Sequence, residues 1–346
     1  IHTANNWSYM KISSGNEYDR LVSCVVGDAT GAQFPKYDEI FSYNQQVTTW
    51  TETPLPKGLF PQRIIDEANE DLSILAQTLK DFGVKVYRPK DLDHEHLVTT
   101  YHWTTDGMYN YCPRDVLLVI DDMVVECPMV YRSRQMEAEA YWHIRDKAIK
   151  DGARWLAAPR PRLLTLDNFV RDNQVVLSER EPMFDAANIL RHNDDILYLV
   201  SNSGNRLGAE WLQNMLGKKY RVHIIDNLYS YAHIDSTISV LRDGVVVLNG
   251  SRVNENNCPK LFKGWQKIYV NDVVPQTFFN YPYASKWIAL NMFSIDPKTV
   301  IVDKNQIDLI RRLEQIGQTV VPLELRHSRT LGGGFHCVTL DLERTQ

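Results

Sequence analysis

No stretch of the chain approaches the roughly 20 consecutive apolar residues that a bilayer-spanning helix needs. The first residues carry neither a secretory apolar core nor an Arg-rich transit pattern, so the sequence reads as a soluble, cytoplasmic protein. It begins at Ile1 rather than Met, which leaves open a leader ahead of it. Cysteine is sparse: Cys24, Cys112, Cys127, Cys258 and Cys337 are odd in number, far apart and never spaced as CxxC. That excludes a disulfide framework and a thiolate zinc site and fits a reducing compartment. Basic residues form no stripe and acidic residues no tail; the net charge of -5 is spread over both signs, and nucleic acid is not an expected partner. No GxGxxG or Walker loop follows any apolar run, which removes the usual signature of a doubly wound nucleotide-binding sheet.

What is present is a pattern that repeats, in a chain of 346 residues that is 44% apolar and so able to bury a large core. Ile65, Ala68, Leu72, Leu75 and Leu79 recur at helical spacing; the pattern stops at Gly83 and runs straight into the short strand Val84-Lys85-Val86-Tyr87. The same helix, break and strand return in residues 137–156, 207–225 and 306–323, and in 261–270 with the helix shortened to a turn. Hairpins lie between copies, turning at Asp121-Asp122, Asn193-Asp194 and Asp243-Gly244. Residues 18–28 predict a first central strand, and residues 34–61, with prolines and aromatics but no period, predict a long loop. A ββαβ unit repeated about five times closes most naturally into a ring whose blades bury one another's faces. Residues 1–346 are therefore expected to be one domain, with an ordinary doubly wound α/β sheet as the alternative.

Candidate chemistry gathers at the predicted strand ends. In Gly332-Gly333-Gly334-Phe335-His336-Cys337 three glycines lead a cysteine to the mouth of an apolar, β-branched segment. Such a tight backbone passage suits a reactive thiol, although a small buried residue after a glycine loop explains it equally well. Asp185 sits where a proline-limited loop enters a strand, His233 and Asp235 open the next hairpin, and Asp115 opens another. In an extended segment His233 and Asp235 face the same way. In a ring of repeats equivalent ends converge on the axis, so Cys337, His233, Asp185, Asp235 and Asp115 are expected to meet. Several carboxylates without metal-ligand spacing favour an organic cation, above all a planar guanidinium, which in turn favours the thiolate. Arg252, after Asn249-Gly250-Ser251, is a candidate for holding a substrate carboxylate, with a surface salt bridge as the plainer reading.

Taken together, residues 332–337, Phe184-Asp185-Ala186-Ala187, His233-Ile234-Asp235 and Pro113-Arg114-Asp115 resemble the arginine:glycine amidinotransferase family. Glu126-Cys127-Pro128-Met129, Arg132-Ser133-Arg134, Leu207-Gly208-Ala209-Glu210-Trp211 and Ser285-Lys286-Trp287 support the match, which runs from about residue 18 to the C-terminus. The resemblance implies a five-bladed α/β propeller of the pentein kind around a central active-site channel, a homodimer, and no metal or organic cofactor. It implies that Cys337 attacks the guanidinium carbon of L-arginine to form an amidino-cysteine. His233 would protonate the departing ornithine amine and then deprotonate the acceptor amine, with Asp185 orienting it. Asp115 and Asp235 correspond to donor-binding carboxylates, Arg252 to a carboxylate clamp, and Ser285 to a substrate-binding residue.

The chain departs from the glycine-using members at the expected acceptor pocket. Ala232 stands where they carry methionine, Ser230 where they carry asparagine, and Ala284-Ser285 where they carry a Ser-Ser pair. Loss of the methionine side chain frees volume, so the acceptor expected is an amine larger than glycine, as in relatives that guanidinylate antibiotic aminocyclitols or precursors of toxins such as saxitoxin. The alternatives are glycine, giving guanidinoacetate; water, as in an arginine deiminase-like hydrolase; and a catalytically silent sensor of guanidino compounds.

Overall fold

The computed structural model describes residues 9–48, 52–163, 170–171, 174–175, 177–226 and 228–345. Among these the framework is mixed α/β, and five three-stranded sheets share one plan. A first strand pairs antiparallel with a second, and the second pairs parallel with a third. In chain order the hairpins and third strands are Leu117–Ile120, Met123–Glu126 and Arg154–Ala157; Ile189–His192, Asp195–Leu199 and Arg221–Ile225; and Ile238–Arg242, Val245–Asn249 and Gln266–Val270. Phe293–Asp296, Thr299–Asp303 and Thr319–Leu323 follow. The fifth sheet joins the two ends of the chain, with Thr339–Thr345 antiparallel to Arg20–Val26 and Lys85–Tyr87 as its third strand.

A parallel pair needs a crossover, and this is where the helices of the repeat fall. Gln62–Asp81, Trp142–Lys150, Arg206–Leu216 and Ile307–Gln315 each connect a second strand to its third; Lys260–Phe262 does so with a single 3-10 turn. The longest of them buries Ile65, Ala68, Leu72, Leu75 and Leu79, the stripe read from its spacing. First and second strands are mostly buried along their length, whereas third strands are half exposed. The turn residues Asp121 and Asn193 adopt φ of 50° and 57°, the left-handed conformation such tight hairpins require.

Three expectations need correction. Residues 34–61 are not one loop: Glu39–Thr48 is a helix, opened by Asp38, whose Oδ1 accepts from the Ile40 and Phe41 amides, and both of those side chains are buried. The capping aspartate was the available signal, masked by the prolines around it; residues 49–51 lie outside the described set. The helix expected over 137–150 starts at Trp142, because residues 137–141 coil as a 3-10 turn that buries Glu137 against Arg134. Asp235 is not in extended chain either: His233 precedes the 3-10 turn Ile234–Ser236.

Such turns are the rule that positions everything else. Ahead of each first strand stands a short helical segment: Pro113–Val116, Ala186–Asn188, Ile234–Ser236, Lys286–Leu290, and Ser328–Leu331 followed by the turn at 335–338. Beneath them lies a dry network of ions. Arg191 donates to both carboxylate oxygens of Asp341 at 3.0 and 2.8 Å and to Glu17 at 2.9 Å. Arg344 reaches Asp341 at 2.8 Å, and Arg114 lies 2.6 Å from its other oxygen. Isolated, any of these charges would be costly to bury; mutual pairing offsets that cost. The arginines hold Asp341 well below the usual carboxylate range against the opposing effect of burial, and Glu17 is lowered likewise.

Replacing Asp341 by Asn takes the shared anion away from three buried guanidinium groups and is expected to lower stability by ~3–5 kcal/mol in urea titrations. Asp122→Asn, in a solvent-exposed pair with Arg154, should cost about 1 kcal/mol or less. Because both buried carboxylates are shifted downward, their contribution is full above the unfolded value near pH ~4 and is lost only as pH falls through the lower folded values.

Candidate active site

The helical turns deliver their side chains to one cavity of about 110 Å³, against the ~10–15 Å³ that a single water occupies. Cys337, His233, Asp185, Asp115 and Asp235 all line it, drawn from the approaches to four different sheets. Ser285, Ala284 and Ala232 line it as well. Two of the expected residues stand apart from the wall. Ser230 turns its carbonyl to the Asn202 amide. Arg252 lies behind the wall: its guanidinium stacks 3.5 Å above the Tyr229 ring, donates to Thr237 Oγ1 at 2.8 Å and reaches Ser285 Oγ at 3.5 Å.

The cysteine is held by its own backbone. Gly332 ends the preceding helical turn at φ +79°, and a Cβ there would fall 2.2 Å from the Tyr283 ring. Asn291 then staples the loop: its side-chain oxygen accepts from the His336 and Cys337 amides at 2.8 and 3.0 Å, while its carbonyl accepts from Phe335. The Cys337 thiol donates to Asp235 Oδ2 at 3.4 Å. Its contact with Cys112, then burial and the Asp235 charge, hold it well above the ordinary thiol range, with His233 opposing.

His233 places Nε2 3.0 Å from Asp185 Oδ2 and Nδ1 3.6 Å from Asp115 Oδ1. Burial works to discharge this ring, but Asp115, then Asp185 and Cys337, outweigh it and hold the imidazolium well above its usual range. The carboxylates are themselves fixed. Asp185 Oδ1 accepts from the Val130 amide at 3.3 Å. Asp115 Oδ2 takes Arg134 at 2.7 Å, and that arginine is clamped by Glu137 at 2.9 Å. Asp115 Oδ1, fully buried beside the cavity, has no hydrogen-bond donor among the described residues. Asp235 Oδ2 also receives His336 Nδ1 at 2.9 Å, and His336 Nε2 meets Glu17 at 3.1 Å, so each ring nitrogen faces a carboxylate. The site's anions thereby connect to the ion network below.

Reading the sequence missed Arg134, Asn291, Tyr109, Tyr131, Tyr229 and Tyr283. Arg134 lay in a stretch used only as supporting likeness. The tyrosines and Asn291 are invisible without the fold, being scattered residues of unremarkable local pattern. Asn44 and Gln45 also line the cavity, from the helix Glu39–Thr48. Among the described residues no group of three or more His, Cys, Asp and Glu side chains is arranged to hold a metal ion. The arrangement pairs a thiol and an imidazolium with three carboxylates, between aromatic walls that suit a flat cation.

No family model matches the chain. Inosamine-phosphate amidinotransferase 1 of Streptomyces griseus is 44% identical over 338 residues, 96% of this chain and 97% of that protein. The solved structure of the inosamine-phosphate amidinotransferase from that organism superimposes with a TM-score of 0.92 over 97% of this chain and 98% of that one. SxtG, an amidinotransferase of the saxitoxin biosynthetic pathway from Microseira wollei, matches at 34% identity and TM-score 0.86, covering 97% of this chain and 98% of that one. A DDAH from Pseudomonas aeruginosa shares the fold alone, at 12% identity and TM-score 0.62 over 93% of this chain and 99% of its own. Identity of this extent along nearly the whole length means that the chain belongs to the amidinotransferase family.

Proposed function

We propose that the protein takes the amidino group of L-arginine onto Cys337 and passes it to a primary amine larger than glycine, releasing ornithine. The observation that carries this reading is the meeting of a thiol, an imidazolium and three carboxylates in one cavity, with a buried carboxylate oxygen of Asp115 left without a donor. A guanidinium brings the N–H groups that this oxygen lacks, arranged in a plane that several carboxylates can grip at once. Five sheets of one plan, each preceded by a helical turn, support a five-bladed propeller closed around this cavity.

The chemistry follows from where the charges stand. With the guanidinium seated, the Cys337 thiol gives up its proton to solvent and the thiolate attacks the guanidinium carbon; the bond from that carbon to the ornithine nitrogen breaks, and the His233 imidazolium gives its proton to the leaving amine. The acceptor amine then adds to the amidino-cysteine, His233 recovers a proton, and the thiolate leaves. Asp185, bonded to Nε2, fixes the ring through both halves. Asp115 and Asp235 hold the cation, while Arg252, set behind Ser285, lends positive potential to the wall that faces a substrate carboxylate.

Ala232 and Ala284 form part of the cavity wall with small side chains, which supports an acceptor of some bulk. The relatives at 44% and 34% identity carry names that refer to an inosamine phosphate and to the saxitoxin pathway, which supports the same reading.

Incubation with arginine and no acceptor should leave one amidino group on Cys337 by intact mass, with ornithine released; Cys337→Ala should form no adduct and lose several orders of magnitude in turnover. Citrulline in place of ornithine would mean hydrolysis and would overturn the reading. With acceptor added, a larger cyclic amine should give a higher kcat/KM than glycine, and the reverse order would remove the acceptor assignment.

The elevated Cys337 thiol makes a separate, pH-dependent expectation, since only the thiolate is alkylated. Iodoacetamide should label resting Cys337 slowly at neutral pH and faster as pH rises. Asp235→Asn removes an anion that favours the thiol, and should raise the neutral-pH rate several-fold; an unchanged rate would contradict the electrostatic account.

A further inference from the structure

Cys112 has no part in the chemistry above, yet it is buried against the nucleophile. The segment from Tyr111 to Arg114 lies directly along the cysteine loop: Tyr111 donates its hydroxyl to Gly333 O at 3.3 Å, and the Arg114 amide donates to Cys337 O at 3.3 Å. A Cβ at Gly333 would stand 2.5 Å from Cys112 Sγ and 3.3 Å from Cys337 Cβ, so the two groups flank one point, and the absence of a side chain there lets them approach. Each thiol bears on the other's ionisation, Cys112 raising Cys337 and Cys337 lowering Cys112. Cys337 lines the cavity and Cys112 does not. A small reagent entering from the cavity therefore meets Cys337 first, with Cys112 behind it.

We propose that Cys112 and Cys337 form an oxidation site in which Cys112 is the resolving thiol, so that a hydroperoxide closes the pair to a disulfide and blocks the nucleophile reversibly. The Cys337 thiolate attacks the outer peroxide oxygen; an S–O bond forms, the O–O bond breaks, and the alcohol or water leaves after taking up a proton. Cys112 sulfur then attacks the sulfenic sulfur; the S–S bond forms, the S–O bond breaks, and hydroxide departs with the Cys112 proton as water. The thiol pair gives up two electrons and the peroxide accepts two. Without a neighbour, the sulfenic acid at Cys337 would proceed to sulfinic acid, which ordinary thiols do not reduce. Cys112 is the cysteine whose thiol bears on Cys337; Cys24 and Cys127, both buried, and the half-buried Cys258 do not, so none of the three competes as the partner.

The effect on activity rests on the role given to Cys337 above, whereas the cross-link is read independently of it. The wild-type protein, Cys112→Ala and Cys112→Ser are treated with hydrogen peroxide at mildly alkaline pH, where more of the Cys337 thiolate is present. Free thiols are then blocked, and peptides and amidino transfer are measured before and after dithiothreitol. The wild type should yield a Cys112–Cys337 cross-linked peptide, lose activity in step with it, and recover most of it on reduction. Both variants should lose activity without recovery and carry sulfinic or sulfonic acid at Cys337. A wild type with oxidised Cys337 but no cross-link, or variants that recover as fully as the wild type, would overturn the proposal. Cross-linking in a protein that makes no ornithine would instead count against the functional reading alone.

Discussion

The architecture depends on one buried carboxylate. Asp341, on the last strand of the chain, is gripped by Arg191, Arg344 and Arg114, groups from three separate parts of the sequence. Charges this dry are tolerable only in mutual company, so the strand, the turn at residues 113–116 and the strand at 189–192 have little freedom to part. Glu17 extends the clamp to the N-terminal segment, bonding Arg191 on one side and His336 on the other. The chain ends are thereby tied to each other and to the middle.

What this tie carries upward is electrostatic. His336 lies between Glu17 and Asp235, and Asp235 is also the acceptor for the Cys337 thiol. The His336 hydrogen bond favours the ionised Asp235 against the opposing effect of burial. Cys112 and burial, and then the Asp235 anion, favour the protonated form of the Cys337 thiol. The same anion is available to a guanidinium, and a cation placed between the two would relieve the opposition to the thiolate. Across the cavity, Asp115 and Asp185 do the complementary job of keeping His233 charged. The site is thus built from acids whose partners are either fixed, as Arg134 is, or supplied from outside.

Much of this was legible in the residues, and the reason is repetition. A helix, a glycine stop and a strand recurring along the chain mark the order of most elements, since amphipathic spacing and left-handed turn positions are local properties. The inference that equivalent strand ends converge was enough to bring together Cys337, His233, Asp185, Asp235 and Asp115, and they line one cavity. Local pattern could not supply the rest. Arg134, Asn291 and the tyrosine walls act through contacts between distant segments, and Arg252 touches the cavity wall from behind, through Ser236, Ser285 and Tyr229. Glu39–Thr48 is hidden by the prolines on either side of it, although Asp38 marks its start.

The central claim is that this cavity seats a planar cation over the cysteine sulfur with its N–H groups on carboxylates from different sheets. A crystal structure of Cys337→Ser with arginine bound measures that directly. The account predicts the guanidinium carbon about 3–3.5 Å from the Ser side-chain oxygen, donors on Asp115 and Asp235, and the nitrogen that leaves with ornithine turned toward His233. A guanidinium seated elsewhere, or one that leaves Asp115 Oδ1 without a donor, would contradict it.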